Sequence, residues 1–215
     1  MKVDPSAYIG AVVREVRSSE HEGRPARVVV AARSYDTTIE DLWDALTNAE
    51  RIPRWFLPVS GDLRLGGRYQ FEGNAGGEIT RCEPPRLLSL TWEYGGGVSW
   101  LTVTLSGHPA GGTQLELEHT AHIEGDLWDR FGPGAVGVGW DLALMGLARY
   151  LASGTAVDRR EAEAWSASDD GKDFMRRSSQ QWCEASIKAG TPEAAARAAA
   201  GRTTAFYCGE PEGGA

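Results

Sequence analysis

The sequence predicts an α+β fold in which an antiparallel meander lies between two helical segments. Three observations carry this. Between residues 62 and 123, short runs of alternating apolar residues are separated by GG, NAGG, PP, GGG and HPAGG, all good turn chemistry. A helix-spaced segment precedes the meander and a longer one follows it, over residues 132–154. The chain beyond about residue 155 then changes character, becoming Ala-rich, charged and helical in pattern.

Taken in order, AYIGAVVREVRS and ARVVVAARSY read as two β-rich runs around the turn SEHEGRP. In YDTTIEDLWDALTNAERIPRWF, Thr37 or Thr38 can cap a helix, and Glu40 and Asp41 suit its first turn. Ile39, Leu42, Trp43 and Leu46 share one face of that helix. Pro53 is expected to end or bend it, with Trp55 and Phe56 following at once. Large rings in a Pro-punctuated connector are costly to leave in water, so they are expected to close something.

DLRL, GRYQFEGN, GEITRCE, RLLSLTWEY, VSWLTVTLS and TQLELEHTAHI then read as strands of the meander. Alternation puts Leu88, Leu90 and Trp92 on one face, with Ser99, Leu101, Val103 and Leu105, and with Leu115, Leu117, His119 and Ala121. The opposite face carries Ser89, Thr91, Glu93, Gln114, Glu116 and Glu118 and is expected to be wet. In GPGAVGVGWDLALMGLARYLASG a stripe of Val136, Trp140, Leu144, Leu147 and Leu151 predicts a long helix lying on the dry face, stopped by Gly154.

In the tail, Met175, Ser179, Trp182 and Ser186 form a stripe with Cys183 adjoining it, and Thr191 and Pro192 open a last helix as cap and first residue. The tail is too polar to form a core alone, so its helices are expected to dock on the rest of the chain or to join two copies. The predicted organisation is an extra strand over 1–25, a main domain over 26–154 and a helical extension over 155–215.

Composition narrows the function. A net charge of −8 argues against nucleic-acid binding, which needs clustered Lys and Arg. No apolar run is long enough to span a bilayer, and Arg14, Glu15 and Arg17 interrupt the short apolar N-terminal stretch, so neither membrane insertion nor a signal peptide is expected. Cys82, Cys183 and Cys208 are odd in number and widely spaced. They read as reduced thiols of a cytoplasmic protein rather than as a disulfide framework or zinc site.

The segments TIEDLWDALTNAERIPRWF, LRLGGRYQFEGN, CEPPRLLSLTWEY, TQLELEH and GVGWDLALMGLARYL, in that order, resemble the activator of heat-shock-protein-90 ATPase homologue family of the SRPBCC, or START-like, superfamily. The resemblance covers about residues 26–152; the first strand and the C-terminal extension depart from the minimal family domain. It implies a helix-grip fold: a curved antiparallel sheet wrapped around a long helix, with an apolar cavity between them. It also implies a hydrophobic small-molecule partner, lipid or polyketide-like. Residues expected to line the cavity are Trp43, Trp55, Phe56, Trp92, Leu101, Val103, Leu117, His119, Trp140 and Leu144. Two other readings stay open: a cyclase- or aromatase-type enzyme, and a protein–protein adaptor like the namesake activator.

No cofactor or metal is expected. His119 and His122, near Glu118 and Glu124, are three apart on a strand and face opposite sides, so one ion could not easily take both imidazoles. His119, on the apolar face, reads as a core histidine bonded to a neighbour or as a ligand contact. Asp141, inside an apolar helix, is expected at the helix flank, paired or wet. Eight tryptophans against three methionines point to cavity walls as much as to packing. No catalytic residue is assigned.

Overall fold

A computed structural model describes residues 5–123 and 127–211. Among them eight strands form one sheet in the order β1-β2-β8-β7-β6-β5-β4-β3. The chain divides into two compact units. A helical unit comprises Met1–Ala31, Ile123–Leu142 and Asp158–Ala215; a sheet unit comprises Ala32–His122 and Ala143–Val157. Strand β2 (Arg24–Tyr35) and helix α4 (Gly134–Ser153) each run from one unit into the other.

In the sheet unit, helix α2 (Ile39–Thr47) starts at Thr38, whose hydroxyl accepts from the Asp41 amide. It ends at Asn48, well before Pro53, which instead opens a short 3-10 turn, Ile52–Arg54. The helix stops early because the Asn48 side chain turns the chain, accepting from the Glu50 amide. The meander follows as β3 (Val59–Gly61), β4 (Arg68–Phe71), β5 (Gly76–Glu83), β6 (Leu87–Tyr94), β7 (Gly97–Gly107) and β8 (Thr113–His122), with the pairings from β3 to β8 all antiparallel. The expected strand at DLRL is a correction: Arg64 bonds back to Asp62 through its amide and its side chain, and the segment turns.

Registers fix the dry face. Leu88 opposes Val103, which opposes Leu117; Leu90 opposes Leu101, which opposes His119; Trp92 opposes Ser99. Each row places the predicted apolar residues side by side, and Leu101, Val103, Leu105, Leu115 and Leu117 are buried.

The C-terminal half of α4 belongs to this unit and is anchored at three points. The Tyr35 hydroxyl donates to the Leu144 carbonyl at 3.2 Å. Arg51 donates to the Tyr150 hydroxyl at 3.0 Å and to Asp41 and Asp44 at 2.8 and 2.9 Å, tying α4 to α2. The third is a close approach: a Cβ at Gly146 would lie 2.6 Å from the Trp55 carbonyl oxygen, so only glycine lets the connector come so near.

In the helical unit, the expected first strand begins instead as helix α1 (Pro5–Gly10), and β1 runs Val13–His21. Ile9 of α1, Val12 in the link and Val16 of β1 are buried. After α3 (Leu127–Phe131) and the first half of α4 come α5 (Arg159–Ala167), α6 (Asp169–Lys188) and α7 (Glu193–Cys208), with Pro192 rather than Thr191 at the cap position. Helix α6 lies against α1, β1, α5 and α7. Its stripe is wider than predicted, with Phe174 and Ser178 joining Met175, Ser179, Trp182, Cys183 and Ser186 inside. The tail thus packs within its own chain, on residues 5–31 and the start of α4.

Helix α4 also departs from a single stripe. In its first half Val138 and Asp141 are buried along with Trp140, and in its second half Met145 along with Leu144 and Leu147, so each half is buried beyond the one stripe. Gly137 shows why: a Cβ there would lie 2.3 Å from the Trp182 ring of α6.

Candidate functional site

The sheet unit holds a cleft of about 230 Å³. Helix α2 supplies Trp43, Leu46 and Thr47; the connector supplies Ile52; β3 and the turn after it supply Val59 and Leu63; the rest of the sheet supplies Tyr69, Phe71, Ile79, Cys82, Leu88 and Leu90. Local sequence accounts for each wall. Tyr69 and Phe71 alternate onto the same side of β4, Leu88 and Leu90 onto the same side of β6, and Trp43 and Leu46 lie three apart on α2.

Its two hydroxyls are already engaged. The Tyr69 hydroxyl donates to the Thr91 carbonyl at 2.7 Å, and the Thr47 hydroxyl to the Trp43 carbonyl at 2.8 Å. Burial pushes the Tyr69 phenol above its ordinary pKa, so it stays neutral. The cleft therefore offers apolar and aromatic contact and little else.

Behind one wall runs a chain of rings. Phe71 meets Tyr69 at 5.3 Å, Phe56 edge-on at 5.0 Å and Trp92 at 5.8 Å between centroids; Trp55 adjoins Phe56 at 5.5 Å, and Trp92 adjoins His119 at 6.2 Å. Of the ten residues expected to line a cavity, Trp43 lines this cleft, and Phe56 and Trp92 stand one ring behind Phe71. Trp55 is pinned by its indole N–H, which donates to the Ala45 carbonyl at 2.9 Å. Leu101, Val103, Leu117 and His119 are packed into the β7–β8 rows. Leu144 is buried on α4 in the same unit, while Trp140 belongs to the helical unit.

His119 is 4% exposed, and its Nε2 lies 2.8 Å from the Ser99 hydroxyl, which itself donates to the Trp92 carbonyl. With the serine proton committed to that carbonyl, the pair is complete when Nε2 carries the imidazole proton. Burial pushes the His119 pKa down to about 4, so the ring is neutral at pH 7. His122 faces the other side of β8, its ring 4.8 Å from Trp100. Glu124 lies outside the described residues. Among the described residues no group of three or more His, Cys, Asp or Glu side chains could hold a metal ion, and no helix is long and apolar enough to cross a membrane.

Asp141, in the helical unit, is paired, as one of its two expected states has it, but it is buried, with 2% exposure, rather than wet. Three donors converge on its Oδ2: Arg14 Nε at 3.0 Å, the Ser178 hydroxyl at 2.5 Å and the Trp182 indole N–H at 3.1 Å. Burial raises the carboxyl pKa, and the Arg14 charge and the other two donors pull it back. This is an internal strut tying β1, α4 and α6 together.

The order of elements and the cleft between α2, its connector and the meander agree with a match to a family model. Residues 36–152 match the family described as Activator of Hsp90 ATPase homolog 1-like protein. The chain belongs to that family. Its fold is the α+β, helix-grip-like fold of the SRPBCC superfamily. The crystal structure of CalU16 from Micromonospora echinospora is 31% identical, aligned over 81% of this chain and 98% of its own, with a TM-score of 0.66. The solution structure of CalU16 gives 32% identity over 84% and 97%, with a TM-score of 0.67. DynU16, from the dynemicin biosynthetic locus, is 24% identical over 60% of this chain and 48% of its own, with a TM-score of 0.53. No curated protein matches the chain. An alignment over 84% of 215 residues cannot stop at residue 152, so the likeness to CalU16 extends into the C-terminal helices beyond the family segment.

Sequence reasoning missed most of the cleft. It followed the dry face toward β7 and β8, where opposed Leu and Val side chains fill the space. The available signal was the alternation of Tyr69 and Phe71 on β4, two strands away from Leu88 and Leu90 on β6.

Proposed function

We propose that this family member binds a flat, ring-bearing apolar small molecule in the cleft of the sheet unit. The observation that carries the reading is the cleft's lining: aromatic and aliphatic walls from Trp43, Tyr69, Phe71, Ile79, Leu88 and Leu90, with both hydroxyls already bonded. Such a site gains affinity from apolar area and ring contact, and has little with which to hold a charged headgroup. Its volume is just below the usual range for small-molecule pockets, which favours a compact ring system over a long acyl chain. Binding rather than catalysis is the better account, because the lining brings no acid–base pair to a common point. The fold family supports the same reading.

The test is titration of tryptophan fluorescence with 2-naphthol, a flavone and lauric acid, alongside mass spectrometry of small molecules that co-purify with the full chain. The aromatic probes are expected to quench in a saturable way, and Phe71→Ala to weaken them. Saturable binding of lauric acid alone would replace this reading with a lipid carrier. Silence across the panel, with nothing co-purifying, would remove the small-molecule reading and put the adaptor reading first.

A further inference from the structure

The helical unit contains a second cavity, of about 160 Å³, separate in residues and in chemistry from the cleft. Helix α6 lines it with Ser179, Cys183 and Ser186, and α7 with alanines, among them Ala196 and Ala199. Small side chains on both helices leave the gap, and Trp128 and Phe131 of α3 supply its aromatic wall. That wall is held in place from α7: Arg202 donates to the Arg130 and Asp129 carbonyls at 2.6 and 3.2 Å, and the Thr203 hydroxyl to the Phe131 carbonyl at 2.8 Å.

One polar group inside is unspent. Ser179 is 1% exposed, and its hydroxyl has no hydrogen-bond partner among the described residues. A buried hydroxyl left so is costly. Its neighbour Ser186 is not in that position, because it donates to Thr191 at 2.9 Å. A trapped water would need two to four polar partners; the lining's other polar side chains are Ser186 and Thr191, bonded to each other, the Cys183 thiol, and Asp129, which is exposed.

We infer that this cavity is a second small-molecule site, taking a neutral single-ring molecule with one hydroxyl: the ring lies among Trp128, Phe131 and the α7 alanines, and the hydroxyl bonds to Ser179. The size fits, since a dry apolar cavity of about 150 Å³ holds benzene. The inference is independent of the cleft and of what occupies it.

The experiment compares phenol with benzene by amide spectra of the full chain, wild type and Ser179→Ala. Phenol is expected to shift the amides of Ser179, Cys183, Ala196 and Ala199 saturably. Ser179→Ala is expected to weaken phenol about fivefold, the scale of one net hydrogen bond, while leaving benzene unchanged. Ala196→Leu, filling the space, is expected to abolish both. Absence of saturable phenol shifts at those amides overturns the inference. So does an unaltered phenol-to-benzene ratio in Ser179→Ala, which keeps the test decisive even if the Leu variant fails to fold.

Discussion

The two units bury a titratable group in opposite ways. The helical unit encloses the carboxyl of Asp141 by pointing three donors at one oxygen, Arg14 among them. The sheet unit encloses an imidazole by keeping it neutral, with its Nε2 on the Ser99 hydroxyl. The first arrangement is held by charge and geometry and is intolerant of losing any member. The second costs little at neutral pH but stores a penalty for acid. The difference teaches that the C-terminal helices are part of a core with its own polar centre, whereas the sheet unit is apolar around its rings.

The largest expected effect is loss of the strut. Deleting residues 158–215 removes Trp182 and Ser178 from Asp141 and exposes its apolar neighbours, so the helical unit should lose cooperative unfolding altogether. Asp141→Ala is the finer version. It leaves the Arg14 guanidinium buried without its carboxylate, and chemical denaturation should show a loss of about 3–5 kcal/mol. A loss below about 1 kcal/mol would mean that the pair behaves like a surface ion pair and that the contrast fails.

Acid separates the units by sign. His119 has its folded pKa pushed down to about 4 from an ordinary 6.5, so the unfolded chain takes up the proton first. Its stabilising contribution is complete above pH 6.5 and is lost as pH falls toward 4, by up to about 3 kcal/mol. Asp141 is raised by burial and acts the other way, since acid relieves the cost of its charge. The check is therefore the difference between wild type and His119→Gln: stability of the wild type should fall more steeply between pH 6.5 and 4. Parallel curves would show that the imidazole is not held neutral by burial.

Two smaller changes test how the sheet unit is clamped. Gly146→Ala pushes a Cβ against the Trp55 carbonyl, and a cost of about 1–3 kcal/mol is expected in thermal unfolding. Thr38→Ala removes the cap of α2 and should cost about 1 kcal/mol, with slight loosening of Trp43 at the cleft wall.

Much of this was legible before any coordinates. Turn chemistry punctuated the meander, and period-two alternation aligned Leu88, Leu90 and Trp92 with their partners, because a strand has only two faces. The Thr38 cap and the Gly154 stop were readable because they are local. What escaped was set by contacts distant in sequence. Asp141 reads as paired or wet at a helix flank; the pairing holds, but its burial does not show locally because its donors come from residues 14, 178 and 182. Strand β3 was displaced to Val59–Gly61 because DLRL alternates like a strand while Asp62 and Arg64 bond within a turn. The cleft lies where β4, β5 and β6 leave space that β7 and β8 do not, and no single-chain periodicity reports packing density.

The central claim, that the cleft is the binding site of the sheet unit, is tested most directly by methyl-resolved NMR of the full chain with saturating 2-naphthol. The account predicts shifts concentrated on the methyls of Leu46, Ile52, Ile79, Leu88 and Leu90, with Leu105 and Leu115 in the β7–β8 rows unmoved. Unchanged cleft methyls, or shifts confined to residues outside the cleft, would contradict it.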